Sequence, residues 1–371
     1  MKVIISAAGT GGHINPGIAI ANKIKEKDPT SEILFIGTNR GLENDLVPRA
    51  GYELKTIDVY GLKKELSIQN LKHIVKTINS RKDVKKIFDD FKPDLVLGTG
   101  GYICGPVFYV AVSRKIPTVL HESNAFPGRA VKMFSKKVDK ILIGFEETKS
   151  KLEGAKKVVF TGTPTKIRKL NISLQRKKEL LEELGIKNDL PIVLVFGGSQ
   201  GAQKINEAVV ELIKSKKNEN YQIIWATGTK QYDVVKEEFE KSSISINNVK
   251  NVKILPYIYN MEELMNICNL MVCRSGAMTI TEISIVGKPA IFIPLPSQSA
   301  NRQEDNALVL KKIGAAKIIL NKNANGESLS KEIDSIVQDK DELEEMGKVA
   351  NSIAPNDVEE KIYREIEKLL K

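Results

Sequence analysis

Three glycine-rich loops are the chemically most informative feature of this 371-residue sequence. Gly-Thr-Gly-Gly occurs at residues 9–12 and again at 98–101, and Gly-Gly-Ser-Gln-Gly occupies residues 197–201. Each loop directly follows a short apolar run of β type, and two of the three lead at once into a helical pattern. Glycines allow tight turns and close approach to a ligand, and free amides at a helix start attract anions. The loops therefore predict phosphate binding in both halves of the chain.

The residues around these loops disfavour two common classes of phosphate-binding protein. A nicotinamide-dinucleotide fold requires a third glycine, where this chain has Ile14, and an acid near the end of the second strand, where it has Ile36-Gly37-Thr38. A P-loop requires Gly-Lys-Ser/Thr, which follows none of the three loops. The remaining prediction is a nucleoside diphosphate held between two domains.

A further candidate site in the second half begins at Cys273-Arg274-Ser275-Gly276. This run follows a strand and starts a helix, so the amides near Ala277 to Thr279 are predicted to hold a pyrophosphate. Glu282 is placed one turn into that helix to accept hydrogen bonds from ribose hydroxyls. The alternative is an ordinary acid favoured near a helix start by the helix dipole. Spacing alone leaves both interpretations of Glu282 open.

The elements that must position these loops alternate between apolar strands and amphipathic helices. The strands predicted are residues 2–7, 32–37, 54–59, 94–98, 117–121, 139–144, 192–196, 222–226, 252–255, 270–273, 290–293 and 316–320. The helices predicted are residues 16–27, 67–79, 81–91, 106–114, 127–136, 175–184 and 357–370. Continuous Val/Ile/Leu strands separated by helices are typical of a parallel sheet that is covered on both faces.

The pattern predicts an α/β fold of two tandem Rossmann-like domains, each a doubly wound parallel sheet. Their ligand crevices are expected at the carboxyl ends of the strands, facing one another across a cleft. The predicted bounds are 1–163 for the first domain and 164–345 for the second, nucleotide-binding domain, with the change of composition near 162–191 as the linker. Residues 346–371 form a C-terminal segment expected to pack back on the first domain, with Ile362, Ile366 and Leu369 on one apolar face.

Composition sets limits on the class of protein. The formal net charge is +11, and residues 1–150 hold 24 Lys/Arg against 16 Asp/Glu, so most of the excess lies in the first half and predicts an anionic partner there. Cys104, Cys268 and Cys273 form no CxxC pair and favour reduced, buried thiols in a cytoplasmic protein. No apolar run is long enough to span a bilayer, and the glycine loop at Gly9 comes too early for a signal-peptide core.

Five motifs in one order resemble the bacterial MurG family of peptidoglycan N-acetylglucosaminyltransferases, in glycosyltransferase family 28. They are Gly9-Thr10-Gly11-Gly12-His13, Gly98-Thr99-Gly100-Gly101-Tyr102, His121-Glu122-Ser123-Asn124, Gly197-Gly198-Ser199-Gln200-Gly201-Ala202 and Arg274-Ser275-Gly276-Ala277. The likeness extends from the first strand to about Leu320. It implies a GT-B fold and a role in peptidoglycan synthesis, and with it in cell shape and division.

The reaction implied by this resemblance is an inverting transfer of N-acetylglucosamine (GlcNAc) from UDP-GlcNAc. The acceptor is the C4 hydroxyl of the muramoyl sugar on undecaprenyl-diphosphate, so that lipid I becomes lipid II. The resemblance implies no metal and no cofactor. It places the protein peripherally on the cytoplasmic face of the cell membrane.

The resemblance also implies the residues that bind each substrate. The donor-binding residues implied are Thr10, Gly11, Gly12, Asn124, Lys166, Ser199, Ile258, Ala277, Met278, Thr279, Glu282 and Gln303. The acceptor-binding residues implied are Gly9, Gly100, Gly101 and Tyr102. The backbone amides of both glycine loops, residues 9–12 and 98–101, are expected to surround the lipid diphosphate.

Within the donor set, Ser199 and the amides of residues 277–279 are implied to contact the diphosphate, and Glu282 the ribose. Ile258 would offer its backbone to uracil. Asn124 and Gln303 would recognise the GlcNAc hydroxyls, with Asn206 as support.

Two positions depart from the family pattern. The linker turn, often Gly-Asn-Pro-Val-Arg in the family, is Gly162-Thr163-Pro164-Thr165-Lys166 here. Lys166 keeps the charge without the bidentate fork of arginine, and Arg168 lies nearby as the alternative. Gln303-Glu304 stands where some relatives have paired glutamines, which leaves the role of Glu304 open.

Inversion requires a base that takes the proton of the attacking hydroxyl and groups that stabilise the leaving diphosphate. His13 is the leading candidate for the base because an unperturbed imidazole pKa of about 6.5 suits neutral pH. The alternative is that His13 only binds acceptor phosphate or caps the helix. Glu122 is the rival base, and Arg274 is a further candidate for contact with the diphosphate.

The other two histidines are predicted to lie outside the chemistry. His121 follows a buried strand and is interpreted as a structural or orienting residue. His73 lies in a lysine-rich amphipathic helix and is interpreted as solvated.

Residues 61–92 predict contact with anionic lipid. They carry nine Lys/Arg, on helices whose other faces hold Leu71, Ile74, Val75, Ile78, Ile87 and Phe88. Basic amphipathic helices lie on anionic membranes, and residues 103–112, with Phe108 and Tyr109, add apolar side chains nearby. The alternative is that the apolar stripe packs on the sheet and the lysines are solvated.

Two other functions remain as alternatives. A UDP-GlcNAc 2-epimerase, or another UDP-sugar enzyme of the same fold, would need neither a membrane surface nor a second loop for a lipid diphosphate. A nucleic-acid binder is disfavoured because the chain has one Trp and no interleaving of aromatic and basic residues.

Overall fold

The chain divides into two compact units. The computed structural model describes residues 1–61, 68–187, 190–198, 200–246, 249–296 and 302–371, without the side chains of 68–72 and 74. Unit 1 comprises Met1–Thr165 and Pro355–Lys371, and unit 2 comprises Lys166–Ala354. None of the helices in the described ranges has the length and apolar character required to cross a membrane.

The sheet of unit 1 has seven parallel strands. They are β1 (Lys2–Ser6), β2 (Glu32–Gly37), β3 (Glu53–Thr56), β4 (Leu95–Gly98), β5 (Thr118–Glu122), β6 (Lys140–Ile143) and β7 (Val158–Phe160), in the order β3-β2-β1-β4-β5-β6-β7. The central strands β1 and β4 are buried along almost their whole length, with apolar residues at their centres, because helices cover both faces of the sheet.

The helices of unit 1 differ from the predicted ones in three places. They are α1 (Gly11–Lys27), α2 (Glu43–Arg49), α3 (Ile68–Phe91), α4 (Cys104–Ser113), α5 (Arg129–Phe134) and, from the end of the chain, α14 (Val358–Leu370). The two helices predicted at 67–79 and 81–91 are one helix, α3, because neither Ser80 nor Arg81 breaks the turn; residue 67 lies outside the described residues. Helix α1 begins at Gly11 with Pro16 inside it, and α2 and β7 were not predicted.

The C-terminal helix belongs to the core of unit 1. Val358, Ile362 and Ile366 of α14 are buried in the same apolar cluster as residues of α1 and β1. Burial of each such side chain contributes about 1.5–3 kcal/mol. The ammonium of Lys140 on β6 forms an ion pair of 2.8 Å with the carboxylate of Glu365.

Unit 2 repeats the architecture with six parallel strands. They are β8 (Ile192–Phe196), β9 (Gln222–Ala226), β10 (Val252–Leu255), β11 (Leu270–Cys273), β12 (Ala290–Phe292) and β13 (Ala316–Ile318), in the order β10-β9-β8-β11-β12-β13. Its helices are α6 (Leu174–Leu184), α7 (Gln203–Lys214), α8 (Tyr232–Glu240), α9 (Met261–Ile267), α10 (Ala277–Val286), α11 (Gln303–Lys312), α12 (Gly326–Val337) and α13 (Lys340–Ser352). The prediction of two doubly wound parallel sheets is confirmed.

Each sheet has one point at which the strand order reverses. In unit 1 the chain moves outward from β1 to β2 and β3 and then returns to place β4 on the other side of β1. In unit 2 the same reversal separates β8 from β11. Ligands of such sheets bind beyond the carboxyl ends of the strands at this switch point. Every glycine loop identified in the sequence follows one of these four strands.

Candidate functional site

The switch point of unit 1 brings the two Gly-Thr-Gly-Gly loops together. Strands β1 and β4 pair in parallel, with Ser6 opposite Gly98. The hydroxyl of Thr99 in the second loop donates a hydrogen bond of 2.7 Å to the carbonyl of His13, which follows the first loop. Two loops separated by almost ninety residues of sequence therefore form one surface.

The half-buried imidazole of His13 lies against the glycines of the second loop. A Cβ atom on Gly100 would lie 3.1 Å from Cδ2 of His13, and one on Gly101 would lie 3.5 Å from Nδ1. Both glycines have positive φ, 98° and 82°, which favours glycine, and at Gly100 the close approach of the imidazole adds a steric reason.

Burial keeps His13 neutral. It lowers the pKa of the imidazole below the ordinary value, and a hydrogen bond with the backbone of Ala8 offsets only part of this effect. An imidazole that is neutral at pH 7 is able to accept a proton, as a general base must.

The start of α1 presents backbone amides. No described side chain caps this end at Thr10, and its first turn has no acid. The first bonds within the helix are donated by the amides of His13 and Ile14, so those of Gly11 and Gly12 precede the helical ladder. The amide of Gly9 is different because it donates a hydrogen bond of 2.9 Å to the carboxylate of Glu43. Of the predicted acceptor-binding amides, that of Gly9 is thus engaged inside the unit.

Glu122, at the end of β5, organises the loop that follows it. Its buried carboxylate accepts hydrogen bonds of 2.9 Å from both the backbone and the side-chain amide of Asn124. It also accepts one of 2.6 Å from the backbone of Gly128, which precedes α5. This geometry favours a positioning role for Glu122, which holds Asn124 in place.

His121 lies within the buried strand β5, and its contacts fit the structural role predicted from the sequence. Its Nε2 lies 3.0 Å from the carbonyl of Gly162, and its Nδ1 lies 3.3 Å from the hydroxyl of Ser123. Full burial lowers the pKa of His121 to about 4, so the ring is neutral at pH 7. His73, interpreted from the sequence as solvated, instead stacks on Tyr60 with ring centroids 4.0 Å apart.

The switch point of unit 2 is formed by the loops after β8 and β11, where Phe196 lies opposite Cys273. Gly201 and Gly228 have φ of 79° and 90°, and a Cβ on either would overlap the backbone of the other loop. Gly198 has positive φ and open space beside it, which is suited to close approach of a ligand. Ser199, predicted to contact the donor diphosphate, lies outside the described residues.

Helix α10 opens at this switch point with its amides uncapped. Gly276 precedes the helix, and within the described part of the chain no side chain caps it and no acid lies in its first turn. Such a helix start favours an anion through the N–H groups of Ala277 to Thr279 and the helix dipole. Glu282, half-buried, follows Thr279 by three positions and shares its helix face.

The side chains of the loop before α10 form hydrogen bonds with other segments of unit 2. The hydroxyl of Ser275 donates a hydrogen bond of 2.7 Å to the carbonyl of Gln303. The guanidinium of Arg274 donates bonds of 2.7 Å to the carbonyl of Ile293 and to the side chain of Asn321, which both lie outside α10. The guanidinium that the sequence suggested for contact with the diphosphate is thus already hydrogen-bonded within unit 2.

The remaining predicted donor residues occupy varied positions in unit 2. The side-chain oxygen of Gln303 accepts a bond of 2.9 Å from the amide of Leu295. The side chain of Asn206 donates to the carbonyl of Thr227 and accepts from the indole of Trp225, so it supports the loop from inside the unit. Ile258 is buried.

The two linker cations differ in their surroundings. Lys166 is exposed at the start of unit 2. The amide of Arg168 donates to the carboxylate of Glu262, and its guanidinium donates to the carbonyl of Ile167.

Sequence comparison identifies the family. Models described as the glycosyltransferase family 28 N-terminal domain and C-terminal domain match residues 3–143 and 192–362. A protein of Acetivibrio thermocellus, named UDP-N-acetylglucosamine--N-acetylmuramyl-(pentapeptide) pyrophosphoryl-undecaprenol N-acetylglucosamine transferase, is 46% identical over 100% of this chain and 99% of its own length. A Clostridioides difficile protein of the same name is 40% identical over 100% of this chain and 89% of its own length.

Structural comparison agrees with this assignment. The crystal structure of Acinetobacter baumannii MurG matches with a TM-score of 0.77 and 27% identity over 99% of both chains. A UDP-GlcNAc 2-epimerase from Neisseria meningitidis, bound to UDP-GlcNAc, matches over 99% of this chain and 100% of its own with a TM-score of 0.66. At 17% identity this second likeness shows the fold alone. The chain belongs to glycosyltransferase family 28.

Proposed function

We propose that this chain transfers GlcNAc from UDP-GlcNAc to the C4 hydroxyl of lipid-linked N-acetylmuramoyl pentapeptide, converting lipid I to lipid II. The observation that carries the proposal is the 46% identity, over the full chain, to a relative named for this transfer. The epimerase alternative has support only from the fold.

The donor diphosphate is assigned to unit 2. The uncapped start of α10 and the loop around Gly198 offer backbone N–H groups at one switch point, where no charged side chain is needed to attract an anion. Glu282 accepts hydrogen bonds from the ribose hydroxyls, and the backbone of Ile258 meets the uracil. Backbone amides aimed at the leaving diphosphate stabilise the charge that develops on it.

The acceptor is assigned to unit 1, with His13 as the general base. The amides of Gly11 and Gly12 and those of Gly100 and Gly101 flank the imidazole and hold the acceptor's diphosphate. His13 takes the proton of the C4 hydroxyl as its oxygen bonds to the anomeric carbon and UDP leaves from the opposite face. The lowered pKa of His13 supports this role because the ring is unprotonated at neutral pH.

The membrane-facing surface is assigned to α3, α4 and α5. Val75 and Ile78 on α3, Tyr109 on α4 and Met133 on α5 are exposed, and the guanidinium of Arg81 lies 3.7 Å from the ring centre of Tyr109. Exposed apolar side chains with basic neighbours suit an anionic lipid surface.

Only part of the predicted apolar stripe contributes to this surface. Phe88 and Phe108 are buried and Ile87 packs against the core, as the alternative interpretation expected. The side chains of Leu71, Lys72 and Ile74, with Lys63 and Lys64, lie outside the described residues.

A transfer assay tests the function. Radiolabelled UDP-GlcNAc is incubated with a short-chain lipid I analogue in the presence of EDTA, and the lipid fraction is analysed for label. We expect label in the lipid and release of UDP that depends on the acceptor. Acceptor-independent formation of the C2 epimer of UDP-GlcNAc would instead support the epimerase, and loss of transfer in EDTA would contradict metal-independent chemistry.

Vesicle sedimentation tests the membrane assignment. We expect the protein to sediment with vesicles that contain anionic lipid at low salt and to remain in the supernatant with neutral vesicles. Equal sedimentation with both kinds of vesicle would contradict recognition of anionic lipid.

A further inference from the structure

A buried glutamate lies beneath the first glycine loop. Glu43 is the first residue of α2, and its side chain is 0% exposed. One carboxylate oxygen accepts a hydrogen bond of 2.9 Å from the amide of Gly9, 34 residues earlier in the chain. The other accepts bonds of 2.9 and 2.6 Å from the amide and hydroxyl of Thr38. The side chain thus ties the end of β2 to the loop after β1.

The surrounding backbone is shaped to admit this side chain. A Cβ on Gly41 would overlap the carboxylate of Glu43, and one on Gly37 would lie 2.7 Å from its Cγ. Neither glycine has positive φ among the residues described, so space rather than conformation explains the choice of glycine at both positions.

Glu43 is an anion at neutral pH despite its burial. Burial by itself raises the pKa of a carboxyl group. Here the Thr38 hydroxyl and the backbone N–H groups of Gly9 and Thr38 outweigh burial and hold the pKa of Glu43 below its ordinary value. Hydrogen bonds to an ionised carboxylate are about twice as strong as neutral ones, so the bond to Gly9 is a firm attachment.

The loop between Gly9 and His13 is held at both ends by other elements. Glu43 holds the amide of Gly9, which has φ of 94° and open space where a Cβ would lie. At the other end, the hydroxyl of Thr99 holds the carbonyl of His13 at 2.7 Å. The direction of the Gly11 and Gly12 amides therefore depends on these two attachments.

We propose that Glu43 is a positioning residue for glycosyl transfer, which fixes the first glycine loop and through it the imidazole of His13. The inference rests on the proposed function, in which these groups meet the acceptor. It also explains why a carboxylate is buried beside a loop that binds phosphate: the amide it occupies is that of Gly9, and the amides of Gly11 and Gly12 are left for the ligand.

The test is Glu43→Gln, which keeps the size of the side chain and turns one hydrogen-bond acceptor into a donor that opposes an N–H group. A displacement of about 1 Å at a catalytic group lowers the rate by about a hundredfold, so we expect kcat to fall about tenfold to a hundredfold. The KM for the lipid I analogue should rise. The KM for UDP-GlcNAc should change less than that for the acceptor, because the contacts to the donor's diphosphate, ribose and uracil are assigned above to unit 2.

Glu365→Gln is the matched control. Glu365 is also a buried glutamate of unit 1, and it pairs with Lys140 on β6 instead of with a glycine loop. Its loss should lower the free energy of unfolding with kcat and both KM values unchanged. Equal kinetic losses in the two variants, or wild-type kinetics in Glu43→Gln, would overturn the positioning role.

Imidazole NMR gives a readout independent of turnover. The chain has three histidines, so each ring can be followed in a pH titration. In Glu43→Gln a loosened loop admits water to His13, and its pKa should rise towards the ordinary value while that of His121 remains unchanged. An unchanged His13 titration would overturn the inference. Absence of GlcNAc transfer by the wild-type protein would contradict the proposed function, and the NMR comparison would still decide the role of Glu43 in fixing the loop.

Thr38→Val serves as the test if Glu43→Gln does not fold. This substitution keeps the carboxylate of Glu43 and removes the hydroxyl that donates a hydrogen bond of 2.6 Å to it. We expect the same pattern in kcat, acceptor KM and His13 titration, with a smaller change in each. Wild-type values in all three would count against the proposal.

Discussion

The two switch points share one architecture and differ in the chemistry of the residues beyond the strands. At β1 and β4 of unit 1, an imidazole lies against two glycines, and side chains from neighbouring elements hold the loops. At β8 and β11 of unit 2, the start of α10 offers backbone amides, and the nearby Ser275 and Arg274 are bonded to the interior of the unit.

This difference indicates a division of labour between sheets of the same topology. Proton transfer requires a titratable side chain in a defined position, and unit 1 holds all three histidines of the chain. Binding of a diphosphate requires only fixed dipoles, which a helix start and a glycine loop supply without a side chain. The predictions below test this division, from the largest expected effect to the smallest.

His13→Ala should have the largest effect. Removal of a general base lowers kcat by about a hundredfold to ten-thousandfold, with the affinity for UDP measured by calorimetry unchanged. The control is His73→Ala, whose ring stacks on Tyr60 and is expected to leave turnover unaltered. Wild-type turnover in His13→Ala would contradict the assignment of the general base to His13, and with it the proposed difference in chemistry between the two units.

The pH profile separates His13 from Glu122. Because the pKa of His13 is lowered, kcat/KM of the wild-type protein should fall only at pH values below the ordinary histidine value. Glu122→Gln should reduce turnover through the Asn124 loop and keep this acid limb. Loss of the limb in Glu122→Gln would identify Glu122 as the base.

The stability of unit 1 should fall in acid because His121 is buried as the neutral ring. Its folded pKa of about 4 lies below the ordinary value of 6.5, so the stabilisation is present above about pH 6.5 and is lost as the pH falls towards 4. The difference corresponds to about 3 kcal/mol in the free energy of unfolding.

Urea unfolding followed by circular dichroism measures this loss. His121→Gln should show a smaller dependence on pH between neutral pH and about pH 4 than the wild-type protein. The fluorescence of the single Trp, Trp225, reports on unit 2 and serves as the internal control. An equal acid dependence in the variant and the wild type would refute the assignment to His121.

Glu282→Gln should weaken donor binding about tenfold to a hundredfold, because a hydrogen bond to a charged group contributes about 1.5–3 kcal/mol. Calorimetry with UDP measures the change. Glu304→Gln is the matched control, since Glu304 is an exposed acid on α11, and it should bind UDP as the wild type does. Weaker UDP binding by Glu304→Gln, with unchanged binding by Glu282→Gln, would instead indicate that Glu304 contacts the ribose.

Val75→Ser should have the smallest effect, a reduction of about fivefold in binding to anionic vesicles, since burial of part of a valine side chain contributes about 1 kcal/mol. Val75 is 50% exposed on α3, and Val234 is 51% exposed on α8 of unit 2. Val234→Ser should therefore leave vesicle binding unchanged if only unit 1 meets the membrane. Equal losses in both variants would contradict that restriction.

Most of the strands were predictable because parallel strands that are buried on both faces have continuous apolar sequences. The strands at 192–196, 222–226 and 252–255 coincide with β8, β9 and β10. The helices between the strands of unit 2 were predicted only as an alternation, without bounds, and the elements missed in unit 1 are short. Helix α2 has seven residues and contains Pro48, and β7 has only three residues, so neither gives a periodic signal.

The roles of the site residues were less predictable than their positions. The sequence placed Glu122 at the end of a strand, and only the structure showed that its carboxylate accepts bonds from Asn124 and Gly128. Glu43 belongs to no motif and was not identified. Its importance depends on a bond across 34 residues, which no local pattern records.

The sequence by itself determined the parallel sheets and the glycine loops that follow their strands, because apolar runs and glycine turns are local properties of the chain. Only the tertiary structure decided that β1 lies beside β4, which joins the two Gly-Thr-Gly-Gly loops around His13. The physical reason is that strand order follows from packing of helices on both faces of a sheet. Hydrogen bonds such as that between Glu43 and Gly9 form only once this packing has excluded water.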